Sequence, residues 1–239
     1  MTKMAKKMRA VRSKALLTAE QQELINLIEQ RAATYGLLSR FYYKEVDQDF
    51  LNELKEARYP ANTGNPSVDK GYLLIVTYLS NIWENSLNEL AVDFVKTFIG
   101  SGSDAYSAAF PFESVHTSER RLLMQDARDE VLAQYRRAGL AKQSLWKESE
   151  DHISAELEYM FILCNRTVEA LSKGDEDEAY SLLVSQLDFL TDHLYAWTPM
   201  LTSEMRRFAQ TDFYQGLAWL TDGFLETDFE FLEDIFREE

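Results

Sequence analysis

The segment Glu148-Ser149-Glu150-Asp151-His152 places three carboxylates and an imidazole within five residues. Side chains of these types can bind a guanidinium group through paired hydrogen bonds, or they can exchange protons as acid and base. The apolar residues that follow recur at intervals of three and four, which is the period of a helix buried along one stripe. They are Ile153, Leu157, Met160, Phe161, Cys164, Val168 and Leu171. The pattern predicts that the acidic segment lies at the beginning of a long amphipathic helix.

Two interpretations of this segment remain open from the sequence. Ser149 is a good N-cap, and Glu150 and Asp151 in a first helical turn would complement the helix dipole by a few tenths to about 1 kcal/mol. A cap explains His152 less well, because the histidine shares a stripe with Glu156 at the edge of the buried face. A half-buried histidine and carboxylate form a polar pocket that can accept guanidinium or backbone N–H groups.

A second candidate is the segment Phe110-Pro111-Phe112-Glu113. Its rings either fill the core or form a semi-rigid apolar lip beside an acid, with Pro111 fixing the backbone. The segment lies in residues 99–117, the longest stretch without helical periodicity, and such a stretch inside a compact domain is usually functional. Core packing and ligand binding both remain open for this loop.

Outside a few clusters of glycine and proline, the pattern is helical almost everywhere, and it shows no convincing alternating strand of five or more residues. The sequence therefore predicts an all-α fold, with a single globular domain of about ten helices in residues 18–239. We expect an N-terminal half (18–98) and a C-terminal half (118–239), joined by a hinge loop at 99–117. The predicted helices are 19–43, 47–57, 67–83, 86–98, 118–138, 149–172, 175–195, 201–209, 211–225 and 227–237.

The charge of the chain is strongly negative and unevenly distributed. Lys and Arg number 25 against 40 Asp and Glu, for a net charge of −15 over 239 residues, which is opposite to the basic footprint that nucleic-acid binding requires. Residues 1–17 instead hold six cations and no acid, and we expect a disordered basic arm there. No run of 18 apolar residues predicts a membrane span. The single cysteine, Cys164, fits a reducing cytoplasm.

Several kinds of enzymatic and metal site lack their sequence signatures. The chain contains no phosphate-binding glycine loop and no Gly-x-Ser-x-Gly nucleophile motif. A carboxylate-bridged di-iron bundle would show Glu-x-x-His on two helices, and the chain does not. With three histidines and one cysteine, a zinc site would need distant residues to converge. We therefore expect no metal and no cofactor.

In their order along the chain, these segments resemble the TorD/DmsD family of redox-enzyme maturation proteins, also known as twin-arginine signal-peptide proofreading chaperones. The acidic segment resembles the family's Glu-Pro-x-Asp-His signature, with Ser149 in the place of proline. Serine can cap a helix start that proline would pre-set, so we expect the geometry to survive. The resemblance runs from about residue 28 to 226. It also includes Tyr35–Tyr42, Phe94–Gly100, Phe110–Val115, His193–Trp197 and Phe213–Ala218. Of these, Phe110–Val115 is similar to the family's Pro-aromatic-x-Ser-Val segment.

The resemblance implies a cytoplasmic chaperone without catalytic activity. Its partner would be the catalytic subunit of a molybdenum-cofactor oxidoreductase. The chaperone would bind the twin-arginine leader and the cofactor-free body of that subunit, assist cofactor insertion and hold back export until maturation. The predicted contacts with the leader are Glu148 and Asp151 for charge, His152 for hydrogen bonding, Pro111, Phe112 and Phe98 for an apolar groove, Glu113 beside it, and Tyr42 and Trp197 at its flanks. The sequence also leaves open a homodimer whose halves exchange through residues 99–117.

Two other functions remain open from the sequence. A helical enzyme would use Glu148, Asp151 and His152 as acid and base groups in the same cleft. In a plain helical scaffold, all of these segments would only pack. For the chaperone, we expect replacement of Asp151 and His152 by Ala to weaken leader binding while the thermal midpoint stays nearly unchanged.

Overall fold

The computed structural model describes residues 19–100, 106–143 and 146–237. The predicted basic arm at residues 1–17 lies outside the described residues. Within them the secondary structure is helical, without a strand, and the predicted all-α fold is confirmed. The elements are α1 (Ala19–Tyr43), α2 (Gln48–Glu56), α3 (Pro66–Ser80), α4 (Ser86–Phe94) with a π-helical turn at Val95–Ile99, α5 (Glu113–Thr117), α6 (Asp126–Arg137), α7 (Ile153–Lys173), α8 (Glu176–Phe189) with a π-helical turn at Leu190–Leu194, α9 (Tyr195–Phe208) and α10 (Asp212–Arg237).

Local capping chemistry sets several of these helix ends. The side chain of Asp47 accepts a hydrogen bond from the Phe50 N–H at the start of α2. The side chain of Asn65 accepts hydrogen bonds from the Ser67 and Val68 N–H groups at the start of α3. Pro66 occupies the first position of this helix, where the missing N–H costs no helical hydrogen bond. Helix α7 ends at Gly174, whose φ of 72° is the left-handed conformation that glycine adopts at low cost.

Two predicted helix starts lie too early in the chain. Helix α6 begins at Asp126 instead of residue 118, because Arg121 and Met124 have φ values of 52° and 58°, which are incompatible with a right-handed helix. Helix α7 begins after His152 and not at residue 149. The backbone of the acidic segment forms an antiparallel bridge there, between His152 and Phe112 just before α5. The short helix α5 lies within the stretch that we expected to be a loop.

Two predicted breaks are absent, and the helices run on. Helix α10 continues past Glu226 because Leu225, Asp228 and Leu232 carry its buried stripe across that point. Pro199 lies inside α9 instead of ending a helix. The π-helical turn that directly precedes α9 provides an irregular hydrogen-bonding pattern, which is how helices commonly accommodate a proline that lacks an N–H.

The main helix pairs join the N-terminal and C-terminal parts of the chain. Helix α1 packs antiparallel to α7, with the Ser39 hydroxyl donating to the Ser154 carbonyl at 2.8 Å near one end. Helices α3 and α10 approach so closely that a Cβ added to Gly71 would lie 2.6 Å from the Leu220 nitrogen. A Cβ on Gly216 would lie 2.7 Å from the Gly71 carbonyl oxygen. Only glycine permits this backbone contact.

A buried ion pair ties the first helix to the last. The guanidinium of Arg31 on α1 contacts both carboxylate oxygens of Asp228 on α10, at 2.5 and 3.0 Å. The Tyr35 hydroxyl donates to the same carboxylate at 2.6 Å. Since all three side chains are buried, removal of either charge would leave the other without compensation, which typically costs roughly 3–5 kcal/mol.

We expect Gly71→Ala to lower the free energy of unfolding by about 1–3 kcal/mol, because the added methyl group must push the backbones of α3 and α10 apart. Urea unfolding followed by circular dichroism measures the change. Gly36→Ala is the matched control, since its methyl group meets only the movable ring of Phe161, at 3.2 Å. The control should be neutral or slightly stabilising through helix propensity. An equal loss in both variants would contradict the close-packing argument.

Candidate functional site

The two segments singled out from the sequence lie side by side in the structure. Phe112 and His152 form an isolated antiparallel bridge. The Glu113 N–H donates to the Asp151 carbonyl at 2.9 Å, and the Ile153 N–H donates to the Pro111 carbonyl at 2.9 Å. Backbone pairing therefore brings together residues that are about forty positions apart in the chain.

The carboxylate of Asp151 fastens this pairing. Its Oδ2 accepts hydrogen bonds from the Ser114 N–H, at 2.9 Å, and from the Ser114 hydroxyl. Ser114 lies in the first turn of α5, where backbone N–H groups have no helical partner. Asp151 is fully buried, so its charge serves the short helix α5 instead of facing solvent. We refer to the contact between Asp151 and Ser114 as the clasp.

His152 is the N-cap of α7, and the prediction that Ser149 would cap this helix is wrong. The Nδ1 of His152 accepts a hydrogen bond from the Ser154 N–H at 3.1 Å, which places the ring proton on Nε2. Burial lowers the pKa of His152 to about 3, so the ring is neutral at physiological pH. Edge contacts with Phe112 and Trp146, at ring-centroid distances of 5.0 and 5.4 Å, hold the ring in place.

Glu150 is neutralised by neighbouring cations. Its carboxylate accepts from the Arg128 Nε at 2.7 Å and lies 3.3 Å from the Lys142 Nζ. Burial acts to raise the pKa of Glu150, but hydrogen bonds from Arg128, Lys142 and the backbone outweigh it, and the pKa lies below its usual value. The Tyr135 hydroxyl also binds the Glu150 carbonyl at 3.1 Å. These contacts fix the acidic segment against α6.

A buried polar layer lies behind the clasp, and sequence reasoning missed it as a unit. The Nδ1 of His193 is 3.0 and 3.1 Å from the two carboxylate oxygens of Glu113. The Trp197 Nε1 donates to Glu156 at 3.0 Å. Burial raises the pKa of Glu156, and the nearby carboxylates of Glu113 and Asp151 raise it further, against the opposing effect of the Trp197 hydrogen bond. The one sequence feature that pointed to this layer was the four-residue spacing of His193 and Trp197, which places both side chains on one face of a helix.

Eight of the nine predicted site residues are buried, and only Glu148 is exposed. The expectation that these side chains themselves line a polar pocket and an apolar groove open to the leader is therefore wrong, although their role in peptide binding stays a prediction. Pro111, Phe112, Glu113, Asp151 and His152 come together at the clasp. Trp197 contacts the polar layer behind it, through Glu156. Tyr42 and Phe98 instead pack on each other, at a ring-centroid distance of 5.6 Å, in an aromatic cluster that includes Tyr214.

An open groove of about 590 Å³ adjoins the clasp. Tyr43, at the end of α1, stacks on Trp146 with a centroid distance of 5.0 Å and an interplanar angle of 14°. Tyr43 is 50% exposed, and Trp146 rests by its edge on His152. Glu150 and the exposed Glu158 of α7 also line the groove. We call this cavity the Trp146 groove. Sequence reasoning missed it, although Trp146 stands only two residues before the acidic segment.

Metal coordination and membrane insertion find no structural basis in the described part of the chain. Glu113 and His116 have the spacing of di-iron ligands, but Glu113 binds His193, and the His116 Nε2 bonds to the Phe110 carbonyl at 2.8 Å. No group of His, Cys, Asp or Glu side chains among the described residues is arranged to hold a metal ion. None of the helices within those residues has the length and apolarity needed to cross a bilayer.

Residues 64–203, more than half of the chain, match the family model described as the nitrate reductase delta subunit. The chain belongs to this family, that of the TorD-like proteins. It is 26% identical over 225 residues to the chaperone protein TorD of Vibrio cholerae, covering 91% of this chain and 98% of that protein. It is 27% identical over 216 residues to the chaperone protein TorD of Aliivibrio fischeri, covering 88% and 98%.

A further TorD relative supports the same assignment. The chaperone protein TorD of Shewanella loihica is 29% identical over 217 residues, which cover 85% of this chain and 93% of that protein. These TorD relatives are named as chaperones and not as enzymes. The predicted family resemblance and the predicted non-enzymatic class are therefore confirmed.

In this TorD-family chain, we expect Asp151→Ala to lower the free energy of unfolding by about 2–3 kcal/mol, because it leaves the Ser114 N–H and hydroxyl buried without an acceptor. The burial of Asp151 thus replaces the earlier expectation of an unchanged thermal midpoint. Urea unfolding measures the loss, and a double-mutant cycle with Ser114→Ala should show coupling. The exposed Glu148→Ala is the control and should change stability by less than about 0.5 kcal/mol. Additive effects of Asp151→Ala and Ser114→Ala would contradict the clasp.

The depressed pKa of His152 predicts a pH dependence of stability. The unfolded state takes up a proton near pH 6.5, whereas the folded ring resists protonation until about pH 3, so stability falls as the pH drops through this window. His152→Asn keeps a side chain that can cap α7 and removes the titration. Between pH 6.5 and 4.5, the wild type should lose about 2 kcal/mol more than His152→Asn in urea unfolding. Parallel stability curves for the two proteins would refute a neutral buried His152.

Proposed function

We propose that this protein is a cytoplasmic, system-specific chaperone for the catalytic subunit of a molybdenum-cofactor oxidoreductase. It binds the twin-arginine leader and the cofactor-free body of that subunit, assists cofactor insertion and holds back export until maturation. Membership of the TorD-like family supports the chaperone class. The single observation that carries the peptide-binding part is the Trp146 groove, an open aromatic cavity next to the clasp. Its lining holds the acids Glu150 and Glu158 and the cations Arg40 and Lys142, of which Lys142 is paired with Glu150 and Arg40 with Asp47.

The chemistry of the groove matches that of a twin-arginine leader, which presents two guanidinium groups next to an apolar stretch. A guanidinium stacks on aromatic faces and forms paired hydrogen bonds with carboxylates. Tyr43 and Trp146 offer stacked faces, and Glu158 offers a carboxylate that makes no ion pair within the described ranges. Leu140 and Ile162, which also line the groove, provide apolar surface for the rest of the leader.

The predicted site residues then divide into two roles. Glu148 is exposed and stands in the chain between Trp146 and Glu150, which both line the groove. We assign it the direct contact with a cationic peptide. The buried residues at the clasp position the groove: Asp151 fixes α5 against the start of α7, and His152 packs on Trp146. Phe112 packs on His152 from the other side. Replacing a buried member of this set would therefore alter binding by moving Trp146.

The net charge of −15 suits a cationic ligand. A strongly negative surface raises the local concentration of basic peptides and speeds their association, and this effect weakens as salt is added. The homodimer stays a prediction. The pairs α1–α7 and α3–α10 join the two parts of the chain, and in a dimer with exchanged halves the same interfaces would form between chains.

We expect Tyr43→Ser to weaken binding of a fluorescent synthetic leader peptide about tenfold, because the peptide loses one face of the stacked pair. Fluorescence anisotropy on the full chain measures the dissociation constant, and Glu158→Gln should weaken binding several-fold. A leader with Lys-Lys in place of Arg-Arg should bind the wild type less tightly, since lysine lacks the planar fork of arginine.

Tyr180→Ser is the matched control for this experiment. Tyr180 is 47% exposed and contacts Phe236 instead of the groove, so its loss should leave peptide affinity unchanged. The binding assignment fails if Tyr43→Ser and Glu158→Gln retain wild-type affinity for the Arg-Arg leader while remaining folded.

A further inference from the structure

Three consecutive large apolar side chains lie on the surface between α5 and α6. Leu122, Leu123 and Met124 are 48%, 48% and 65% exposed. Single exposed apolar residues are ordinary on protein surfaces, but a contiguous exposed group marks an interaction site more often than chance. We call these three residues the apolar ridge.

The ridge is held in a fixed shape. The Leu122 N–H donates to the Ser118 hydroxyl at 3.0 Å, and the Gln125 side chain donates to the Leu123 carbonyl at 2.8 Å. Arg121, directly before the ridge, pairs with Glu204 of α9 at 2.8 Å. Both Arg121 and Met124 have positive φ values, which cost free energy in residues other than glycine. A rigid exposed ridge loses little conformational entropy when a partner covers it.

An acidic cleft of about 740 Å³ begins next to the ridge. Its carboxylates come from Asp126, Asp129 and Glu130 of α6 and from Asp192, with Arg137 at the same cleft. Arg128 pairs with Asp129 at 3.1 Å, whereas Asp126, Glu130 and Asp192 make no ion pair within the described ranges. Asp126 follows Met124 by two residues, so the cleft starts within about 7 Å of the ridge along the chain.

The cleft lies on a different side of α6 from the Trp146 groove. Tyr135 of α6 lines the groove, whereas Ala133 and Gln134 line the cleft. Two separate surfaces on one helix can hold two segments of one polypeptide at once, which raises the overall affinity without new contacts at either surface.

We propose that the apolar ridge and the acidic cleft dock a second segment of the client, outside its leader, in which large apolar side chains adjoin lysine or arginine. The apolar part covers the ridge, and the cations enter the cleft. The identity of the client rests on the proposed function. The chemistry of the segment follows from charge complementarity with the cleft and from the fixed apolar ridge.

The test uses the full chain with the Trp146 groove saturated by unlabelled Arg-Arg leader peptide. The probes are two fluorescent 20-residue peptides that also carry a photo-crosslinking group. One places leucines beside lysines and arginines, and the other has glutamates in place of the cations. The cationic probe should bind and crosslink within residues 122–130, and the acidic probe should not bind.

Leu123→Ser combined with Met124→Ser should weaken binding of the cationic probe at least tenfold. Asp126→Asn combined with Glu130→Gln should weaken its binding several-fold and reduce the salt dependence of that binding.

Two controls separate this inference from the proposed function. Tyr43→Ser should leave the cationic probe unaffected, because Tyr43 lines only the groove. Binding of the Arg-Arg leader to the wild type, measured without the probe, reports on the proposed function alone. Met124→Ser, at the most exposed position of the ridge, replaces the double variant if the latter unfolds at lower urea concentration.

Four outcomes would overturn the inference while leaving the proposed function intact. They are crosslinks at Tyr43 or Trp146, displacement of the probe by added leader, equal binding of the acidic probe, and a self-association of the wild type in sedimentation that the ridge variant abolishes. The last result would show that a second copy of the chain covers the ridge.

Discussion

The buried carboxylate of Asp151 accepts hydrogen bonds from the backbone and the hydroxyl of Ser114, and the surrounding architecture follows from this contact. A carboxylate that is buried without partners costs several kcal/mol, so the loop that carries Ser114 has one strongly favoured position once Asp151 is inside. That position pairs Phe112 with His152 and sets α5 beside the start of α7. Trp146 then rests on His152, which shapes the groove on the surface.

The ionisable side chains of the polar interior behind this contact are buried and bind groups of the protein. His152 is neutral because burial lowers its pKa to about 3, and burial and neighbouring carboxylates raise the pKa of Glu156. Glu113 is paired with His193. Acid–base catalysis would require such groups to reach a substrate, whereas here they bind one another and the backbone. Their burial is consistent with the proposed function, in which these residues position the surface that meets the polypeptide.

Helix α6 separates the two open surfaces that this interior supports. One side carries the Trp146 groove with its stacked rings, and the other carries the acidic cleft beside the apolar ridge. Arg128 of α6 pairs with Glu150, so the helix is also tied to the acidic segment. If one polypeptide occupies both surfaces, as proposed above, it combines contacts that alone contribute only about 1 kcal/mol each.

The all-α class and most of the helices could be predicted from the amino-acid sequence, because the periodicity of apolar residues and the capping side chains act over a few positions. Helix α1 and helix α2 appear within one residue of their predicted bounds, and short motifs in the expected order identified the family. The same local reasoning placed the start of α7 at Ser149 and assigned Asp151 to an open surface. Both errors have one cause: the partner of Asp151 is Ser114, 37 residues away, and no local pattern specifies that pairing. The burial of these polar side chains and the open groove beside Trp146 could not be predicted in the same way, since burial depends on contacts between distant parts of the chain.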